Sequence, residues 1–348
     1  MTQRGEDLLN SRRAKLLALR NHGINPYPSK SSKRHSCLQA NQVFVKNESK
    51  GTTPATSVAG RILRLRNMGR ASFIDIEDHT GQIQLFIRSN ESGKSFELMD
   101  NLDLGDFVGA SGTLMRTRMG EISVKVKKLE ILAKAMRPPP DAYYGLNDRE
   151  TRYRQRYLVL IANKSVGTVM RTRSKIISSI RKFMDKRGFI EVETPVLVNV
   201  PAGAMATPFV TEHKALNRRL FLRIATELYL KRLIVGGMDK VYEIGRVFRN
   251  EGIDHDHNPE FTLLESYEAY SDYRKVMSMV EKLVPAVSSS ALGSTSIDFH
   301  GSKIELAGPW PRIKLNDAIK KYTGIDIDDH PDAKSMTLVL NNLGLAAT

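Results

Sequence analysis

A chain of 348 residues has room for two domains, and with 41% hydrophobic and 26% charged residues its composition excludes a wholly disordered chain, a collagen-like repeat and a membrane-embedded bundle. Its 53 Lys and Arg against 38 Asp and Glu leave a formal charge of +15, a surplus that favours a polyanionic partner such as nucleic acid or nucleotide. The single cysteine, Cys37, closes no intramolecular disulfide, no apolar run approaches the ~20 residues of a membrane span, and the amino terminus lacks an export pattern, so a cytoplasmic protein with no membrane partner is expected.

The first 140 residues hold 23 basic and 13 acidic side chains, ten of the fifteen surplus charges. Residues 5–22 space Leu8, Leu9, Leu16, Leu17 and Leu19 among Arg12, Arg13, Lys15 and Arg20, which predicts a basic amphipathic helix ended by Gly23 and Pro26-Tyr27-Pro28. Such a helix either packs on its own domain or lies as a cationic arm along a phosphate backbone. Residues 30–56, rich in Ser, Thr, Lys and Asn, predict a loop or weakly ordered connection.

Apolar and polar residues then alternate over 57–65, 71–77, 82–88, 107–114 and 121–132, with turn signals between them and a helix at 94–102. Five short strands are what an oligonucleotide-binding (OB) barrel requires, although the count suits other small barrels too. Basic charge and the base-stacking candidates Phe73 and Phe86 tip the reading toward single-stranded nucleic acid. Arg137-Pro138-Pro139-Pro140 reads as a stiff linker and a domain boundary. Beyond it, residues 171–186 predict a helix with Ile176, Ile177, Ile180 and Phe183 on one face. Apolar segments follow at 189–198, 219–224 and 240–249, with a helix over 226–235, so this half mixes helix and strand.

One stretch is far more specific. Val241-Tyr242-Glu243-Ile244-Gly245-Arg246-Val247-Phe248-Arg249-Asn250-Glu251-Gly252, followed by His255-Asp256-His257-Asn258-Pro259-Glu260-Phe261, predicts a hairpin with charged groups at its mouth. Taken alone, an Arg and a Glu at a strand end are usually a surface ion pair worth under ~1 kcal/mol. The combination is too elaborate for that.

The hairpin resembles motif 2 of the class II aminoacyl-tRNA synthetases, and Gly188-Phe189-Ile190-Glu191-Val192-Glu193-Thr194-Pro195 resembles their motif 1. Arg152-Tyr153-Arg154-Gln155-Arg156-Tyr157-Leu158, Glu227-Leu228-Tyr229-Leu230-Lys231-Arg232-Leu233 and Glu265-Ser266-Tyr267-Glu268-Ala269-Tyr270-Ser271-Asp272-Tyr273 narrow the likeness to the lysyl-tRNA synthetases, from about residue 10 to about residue 330. The resemblance implies an α+β chain with a basic amino-terminal helix and connection (1–55), a five-stranded OB-type anticodon-binding barrel (56–136) and a linker (137–150). A partial class II catalytic domain (151–348) follows, an antiparallel sheet with flanking helices, incomplete at its carboxyl end.

The implied activity is lysine–tRNA ligation: L-lysine and ATP form lysyl-adenylate and pyrophosphate, and the lysyl group passes to the 3′ end of tRNA-Lys. Arg249 matches the arginine held on the α-phosphate, where a forked guanidinium holds two oxygens. Glu251, His257 and Asn258 match further ATP-contacting positions, with Arg249, Glu251 and His257 in the catalytic role, and Phe261 matches the ring stacked on adenine. A buried ammonium costs several kcal/mol unless paired; Glu227 and Glu265 match the lysine-binding glutamates, Tyr267 their neighbouring phenol and Gly203 a backbone close to the amino acid. Without the resemblance, Glu227 reads as an exposed first-turn acid favoured by the helix dipole. Arg66, Phe73, Gln84 and Glu121 match residues that stack on and bond to splayed-out anticodon bases, with Phe73 as a barrel core residue the alternative. The family also implies a homodimer built on motif 1, and Mg2+ whose acidic ligands belong to a later segment; no metal ligand is assigned here.

Four features depart from the family. No Gly-rich segment followed by an acid and Arg, the pattern of motif 3, occurs before Thr348, so a truncated or incomplete chain, inactive and aggregation-prone alone, is expected. Asp256 precedes His257 where an Arg is usual, and repels ATP unless it bonds within the loop, for example to His255. Val159 replaces an Asp, and Ala202 opens a usual Gly-Gly-Ala. Two rival readings follow: a non-catalytic RNA-binding paralogue, and a sister synthetase for aspartate or asparagine, against which the two glutamates argue.

Overall fold

Alternation of inward and outward side chains is the device that builds the amino-terminal half. The computed structural model describes residues 3–140, 146, 148–254 and 256–344. The chain divides between Gly167 and Thr168 into two compact units. Strands β1 (Ala55–Asn67), β2 (Ala71–Asp78), β3 (Gly81–Arg88), β4 (Phe107–Arg116) and β5 (Ile122–Ala133) close into a barrel in the order β1-β2-β3-β5-β4. All neighbours are antiparallel except β3 and β5. Closure leaves no strand edge unpaired. Val58, Ile62, Ile74, Ile76, Leu85, Ile87, Val108, Leu114 and Val124 fill the interior, each fully buried. Phe73 and Phe86, one position out of phase with that set, stand on the outer face. Phe73 is therefore not a core residue.

Two further expectations are corrected in this unit. Residues 30–56 are not simply a loop: helix α2 (Cys37–Glu48) lies within them, with Ser36 and Gln39 forming a reciprocal capping box and Cys37, Ala40 and Phe44 buried against the barrel. In place of one helix over 94–102, two single turns, α3 (Ser89–Ser92) and α4 (Lys94–Glu97), are separated by Gly93 at φ +47 and followed by a 3-10 turn, Leu98–Asn101. The first helix, α1 (Gln3–Asn21), packs on its own unit: Leu19 is fully buried, and Arg12 donates to Ala135 O at 2.7 Å and Leu104 O at 3.0 Å. Lys15 pairs with Asp103 at 2.7 Å, so two of its four central cations are engaged internally. The linker residues 141–145 and 147 lie outside the described residues. After them come α5 (Arg149–Arg154) and α6 (Arg156–Ala162), where the unusual Val159 is fully buried, a position that suits an apolar side chain.

Helix α7 (Lys164–Lys186) begins four residues before the second unit and, within that unit, lays Ile180, Phe183 and Met184 over Tyr242, Ile244 and Leu264. These last three belong to β10 (Lys240–Phe248) and β11 (Glu260–Glu268), an antiparallel pair joined in parallel by the short β6 (Ile190–Glu191). The apolar segment 189–198 thus splits, its end forming β7 (Leu197–Val198) in a second sheet with β8 (Val210–His213) and β9 (Arg218–Leu222). Helix α8 (Glu227–Val235) follows β9; α9 (Tyr273–Leu292), the hairpin β12 (Ser296–Phe299) and β13 (Ser302–Glu305), α10 (Leu315–Thr323) and α11 (Ala333–Asn342) follow β11. No described helix is long and apolar enough to cross a membrane.

Candidate functional site

The β10–β11 ladder runs without a bulge from Lys240 opposite Glu268 to Phe248 opposite Glu260. Residues two apart share a face, so Phe261, Leu263, Glu265 and Tyr267 look the same way as Glu243, Gly245 and Val247. The alternate residues Tyr242, Ile244 and Leu264 are covered by α7. The centre of one face is thereby packed under α7, and the other face carries Glu243, Glu265 and Tyr267.

Toward one end of that face, four of the expected residues come together. The Tyr267 hydroxyl donates to Glu265 Oε2 at 3.4 Å, and the backbone N–H of Thr226, at the start of α8, donates to Glu265 Oε1 at 3.4 Å. Burial first, then the charges of Glu265 and Glu227, push the Tyr267 phenol well above its ordinary range, so it stays a neutral donor beside both carboxylates. Gly203 adopts φ +93, and a Cβ there would lie 2.9 Å from Glu227 Cβ and 3.0 Å from Ala225 Cβ. Only glycine lets this backbone come so near. Lys231, one turn along α8, pairs with Glu227 Oε1 at 2.5 Å and lies 5.8 Å over the Tyr267 ring. Glu227 thus already meets one ammonium, on a lysine whose side chain is 56% exposed.

At the other end the chain leaves β10 at Arg249, whose N–H donates to Pro259 O at 2.9 Å and whose guanidinium sits 5.2 Å over the Phe261 ring. Its Nε is buried without a hydrogen-bond partner, as is Thr226 Oγ1 beside Glu227. Glu251, His257 and Asn258 are exposed on the intervening loop, and no hydrogen bond or ion pair among the described residues ties Glu251 or Asn258 to Arg249. His255 lies outside the described residues.

Two groups of residues escaped the sequence reading. Asp254 organises the loop: its Oδ1 accepts from the backbone N–H groups of Asp256 and His257 at 2.8 Å each, and its carboxylate meets His257 Nδ1 at 2.7 Å. The hydrogen bond to Asp254, then its charge, raises the His257 imidazole above its ordinary range. Asp256 enters a loop whose backbone is already fixed. Beneath the carboxylate pocket, Arg223 and Glu243, both about 4% exposed, pair at 2.5 Å. Thr194 Oγ1 donates to Glu243 Oε2 at 2.7 Å, while Arg223 donates to Thr194 O at 3.0 Å and Arg246 O at 2.8 Å. A Cβ on Gly245 would sit 2.2 Å from Arg223 Nη2. That lone strand glycine is the one sequence signal of a close approach.

On the barrel, Arg66, Phe73, Gln84 and Glu121 line one groove of about 510 Å³. Phe73 and Phe86 stack with ring centres 4.9 Å apart, under the guanidinium groups of Arg66 at 5.9 Å and Arg88 at 5.3 Å. Gln84 Nε2 donates to Glu121 Oε2 at 2.5 Å and Asp75 Oδ1 at 3.3 Å, and Ser123 Oγ donates to Gln84 Oε1 at 2.8 Å. Asp75, which also pairs with Arg66 at 3.2 Å, holds two of the groove residues in place and was passed over in the sequence reading. Aromatic faces flanked by cations and fixed amide and carboxylate groups can stack on bases and bond to their edges.

Comparison with known proteins assigns a family to each half of the chain. Residues 56–132 match the family profile described as OB-fold nucleic acid binding domain, and residues 148–341 match that of tRNA synthetases class II (D, K and N). The lysine–tRNA ligase of Pelotomaculum thermopropionicum is 48% identical over 340 residues, 97% of this chain and 66% of that protein. Those of Dehalococcoides mccartyi (48% over 335 residues, 95% of this chain and 67% of the relative) and Moorella thermoacetica (48% over 340, 97% and 69%) are similar to the same degree. The chain spans about two thirds of the length of these relatives.

Proposed function

We propose that this chain carries the lysine- and ATP-binding part of a lysine–tRNA ligase; it belongs to the class II tRNA synthetases of the D, K and N group and carries an OB-fold nucleic-acid-binding domain. The observation that supports it is the convergence of Glu227 and Glu265 on Tyr267 beside the Gly203 backbone, with Glu265 on the same strand face as Phe261 and its Arg249 neighbour.

In this reading the side-chain ammonium of lysine lies between Glu227 and Glu265, which offset the several kcal/mol that an unpaired buried charge costs. The Tyr267 hydroxyl orients Glu265. An aspartate side chain at that place meets two like charges, so the pocket selects a cation. Phe261, four residues and about 14 Å along the strand, offers its ring to adenine. Arg249 offers its guanidinium fork to the α-phosphate. There the lysine carboxylate attacks, the bond to the bridging oxygen breaks, pyrophosphate leaves, and the guanidinium offsets the charge that builds on phosphorus oxygens. Glu251, His257 and Asn258 complete the nucleotide loop. In the second step a terminal ribose hydroxyl of tRNA-Lys attacks the lysyl carbonyl and AMP leaves, with Arg66, Phe73, Gln84 and Glu121 reading the anticodon.

A homodimer through residues 188–195 and a cytoplasmic location belong to the same reading. Mg2+ accompanies ATP in this family, yet among the described residues no group of three or more His, Cys, Asp or Glu comes together to hold a metal ion.

Calorimetric titration with L-lysine, L-aspartate and L-asparagine tests the proposal. Lysine alone binds, and E265Q weakens it about 10- to 100-fold, the range expected for losing a charge-assisted bond. Binding of aspartate or asparagine in place of lysine overturns the assignment.

A further inference from the structure

The barrel carries a second concentration of positive charge, outside the Phe73 groove, and a β-bulge builds it. Ser111 of β4 pairs with Lys128 of β5, but Gly112 pairs with Val126, so Lys127 is an extra residue in the ladder. In a regular strand one of two successive side chains turns inward. Here both Lys127 and Lys128 are exposed while Val126 and Leu129 on either side stay buried. The strands approach so closely at this point that a Cβ on Gly112 would lie 1.9 Å from Lys125 O.

A third cation is fixed beside them by backbone bonds. The N–H groups of Arg34 and His35 both donate to Ser57 O at 3.0 Å, and His35 Nδ1 meets Thr56 Oγ1 at 3.0 Å. Arg34, Lys127 and Lys128 line one cleft of about 470 Å³ with Thr56, Ser57 and Thr113. Arg34 and Lys127 form no ion pair among the described residues. Lys128 shares Glu130 at 3.4 Å yet keeps 69% of its side chain exposed. Three cations against one acid, around a cleft that also offers hydroxyl groups, suit an anion with several oxygens. The cleft is separate from the base-stacking groove: along β1, Ser57 lies nine residues, about 30 Å of strand, from Arg66.

We propose that the Arg34–Lys127–Lys128 cleft is a second RNA contact of the barrel, holding backbone phosphates of a stem regardless of sequence while the Phe73 groove reads bases. The inference rests on the RNA-binding reading of the barrel. RNA is favoured over an anionic membrane because the same small barrel presents stacked aromatic rings under guanidinium groups, whereas the cleft carries no apolar side chain larger than Ala55 to enter a bilayer.

Fluorescence anisotropy of the 348-residue chain tests this, with a labelled lysine-accepting tRNA and the same transcript carrying a replaced anticodon, from about 50 to about 200 mM salt. The variant R34A/K127A/K128A changes exposed side chains only, so its unfolding midpoint stays with the parent. It weakens both transcripts alike, by about 10-fold, and lowers the slope of log affinity against log salt by about 2, the loss of two to three phosphate contacts. The charge-reversed K127E/K128E weakens both further. F73A does the opposite: it removes discrimination between the transcripts and leaves the salt slope in place. If the triple variant keeps affinity and slope while F73A loses discrimination, the cleft is not an RNA contact and the RNA reading of the barrel stands. If the parent binds neither transcript but binds phosphatidylserine vesicles, both are overturned.

Discussion

Replacing Arg223 by methionine removes one member of a pair that is almost wholly buried, and its cost follows from what is left behind. Glu243 keeps the Thr194 hydroxyl but loses its counter-ion, and the carbonyls of Thr194 and Arg246 lose their donors. Breaking a buried pair from one side costs about 3 to 5 kcal/mol, a large part of the ~5 to 15 kcal/mol that holds a domain folded. E243Q costs a comparable amount, about 3 to 5 kcal/mol, because the amide oxygen still accepts from Arg223 but the buried guanidinium is left without its counter-ion. R223M/E243L removes both charges and recovers most of the loss. Trp310, the single tryptophan, lies in the second unit and donates Nε1 to Leu306 O at 3.1 Å, so urea unfolding followed by its fluorescence reports on this unit. An R223M loss below about 1 kcal/mol refutes the reasoning, since it means that solvent already reaches the pair.

Two other perturbations act on the site directly. G203A places a Cβ at φ +93 against Glu227, costs about 1 to 3 kcal/mol of backbone strain and lowers lysine affinity at least about 10-fold; an unchanged lysine titration removes Gly203 from the pocket. His257 titrates above its ordinary value of 6.5 in a proton NMR titration, and D254N lowers it toward that value, Asp256 and Glu251 still raising it. A raised folded-state pKa means that the contribution of the pair to loop order is complete below the ordinary histidine value and is lost as pH rises through the raised one. A parent His257 that titrates at its ordinary value contradicts the Asp254 contact.

What the sequence carries depends on how local the signal is. The five barrel strands are legible because each alternates by itself, and the motif 2 hairpin is legible because its ends and mouth are contiguous. Helix α2 is hidden: its buried positions Cys37, Ala40 and Phe44 keep helical spacing, but Gln, Asn and Lys fill the rest, and only the Ser36 and Gln39 cap marks its start. Gly203 and Glu227 join Glu265 through chain folding across tens of residues, so the family resemblance rather than spacing singled them out. Arg223 and Glu243 lie 20 residues apart, and nothing in their charge distinguishes them from surface residues. The bulge at Lys127 is equally silent, since a run of two lysines has the same letters whether or not both point outward.

The hairpin register is what gives the site its polarity. Carboxylates gather around Tyr267, the Arg249 guanidinium stands over Phe261, and the ladder between them fixes the separation of negative and positive ends. A ligand with an ammonium at one end and phosphates at the other fits in one orientation and is repelled in the reverse one. Glu243 stands directly opposite Glu265 and would sharpen the negative end beyond two charges, but Arg223 neutralises it within the sheet floor. A slip of β11 by one residue would turn Phe261, Glu265 and Tyr267 under α7 and bring Leu264 out. Burying Glu265 there against Met184 and Ile180 would cost several kcal/mol of unpaired charge. The apolar face packed beneath α7 therefore holds the polar face in register, and the chemistry of the site depends on a core it does not touch.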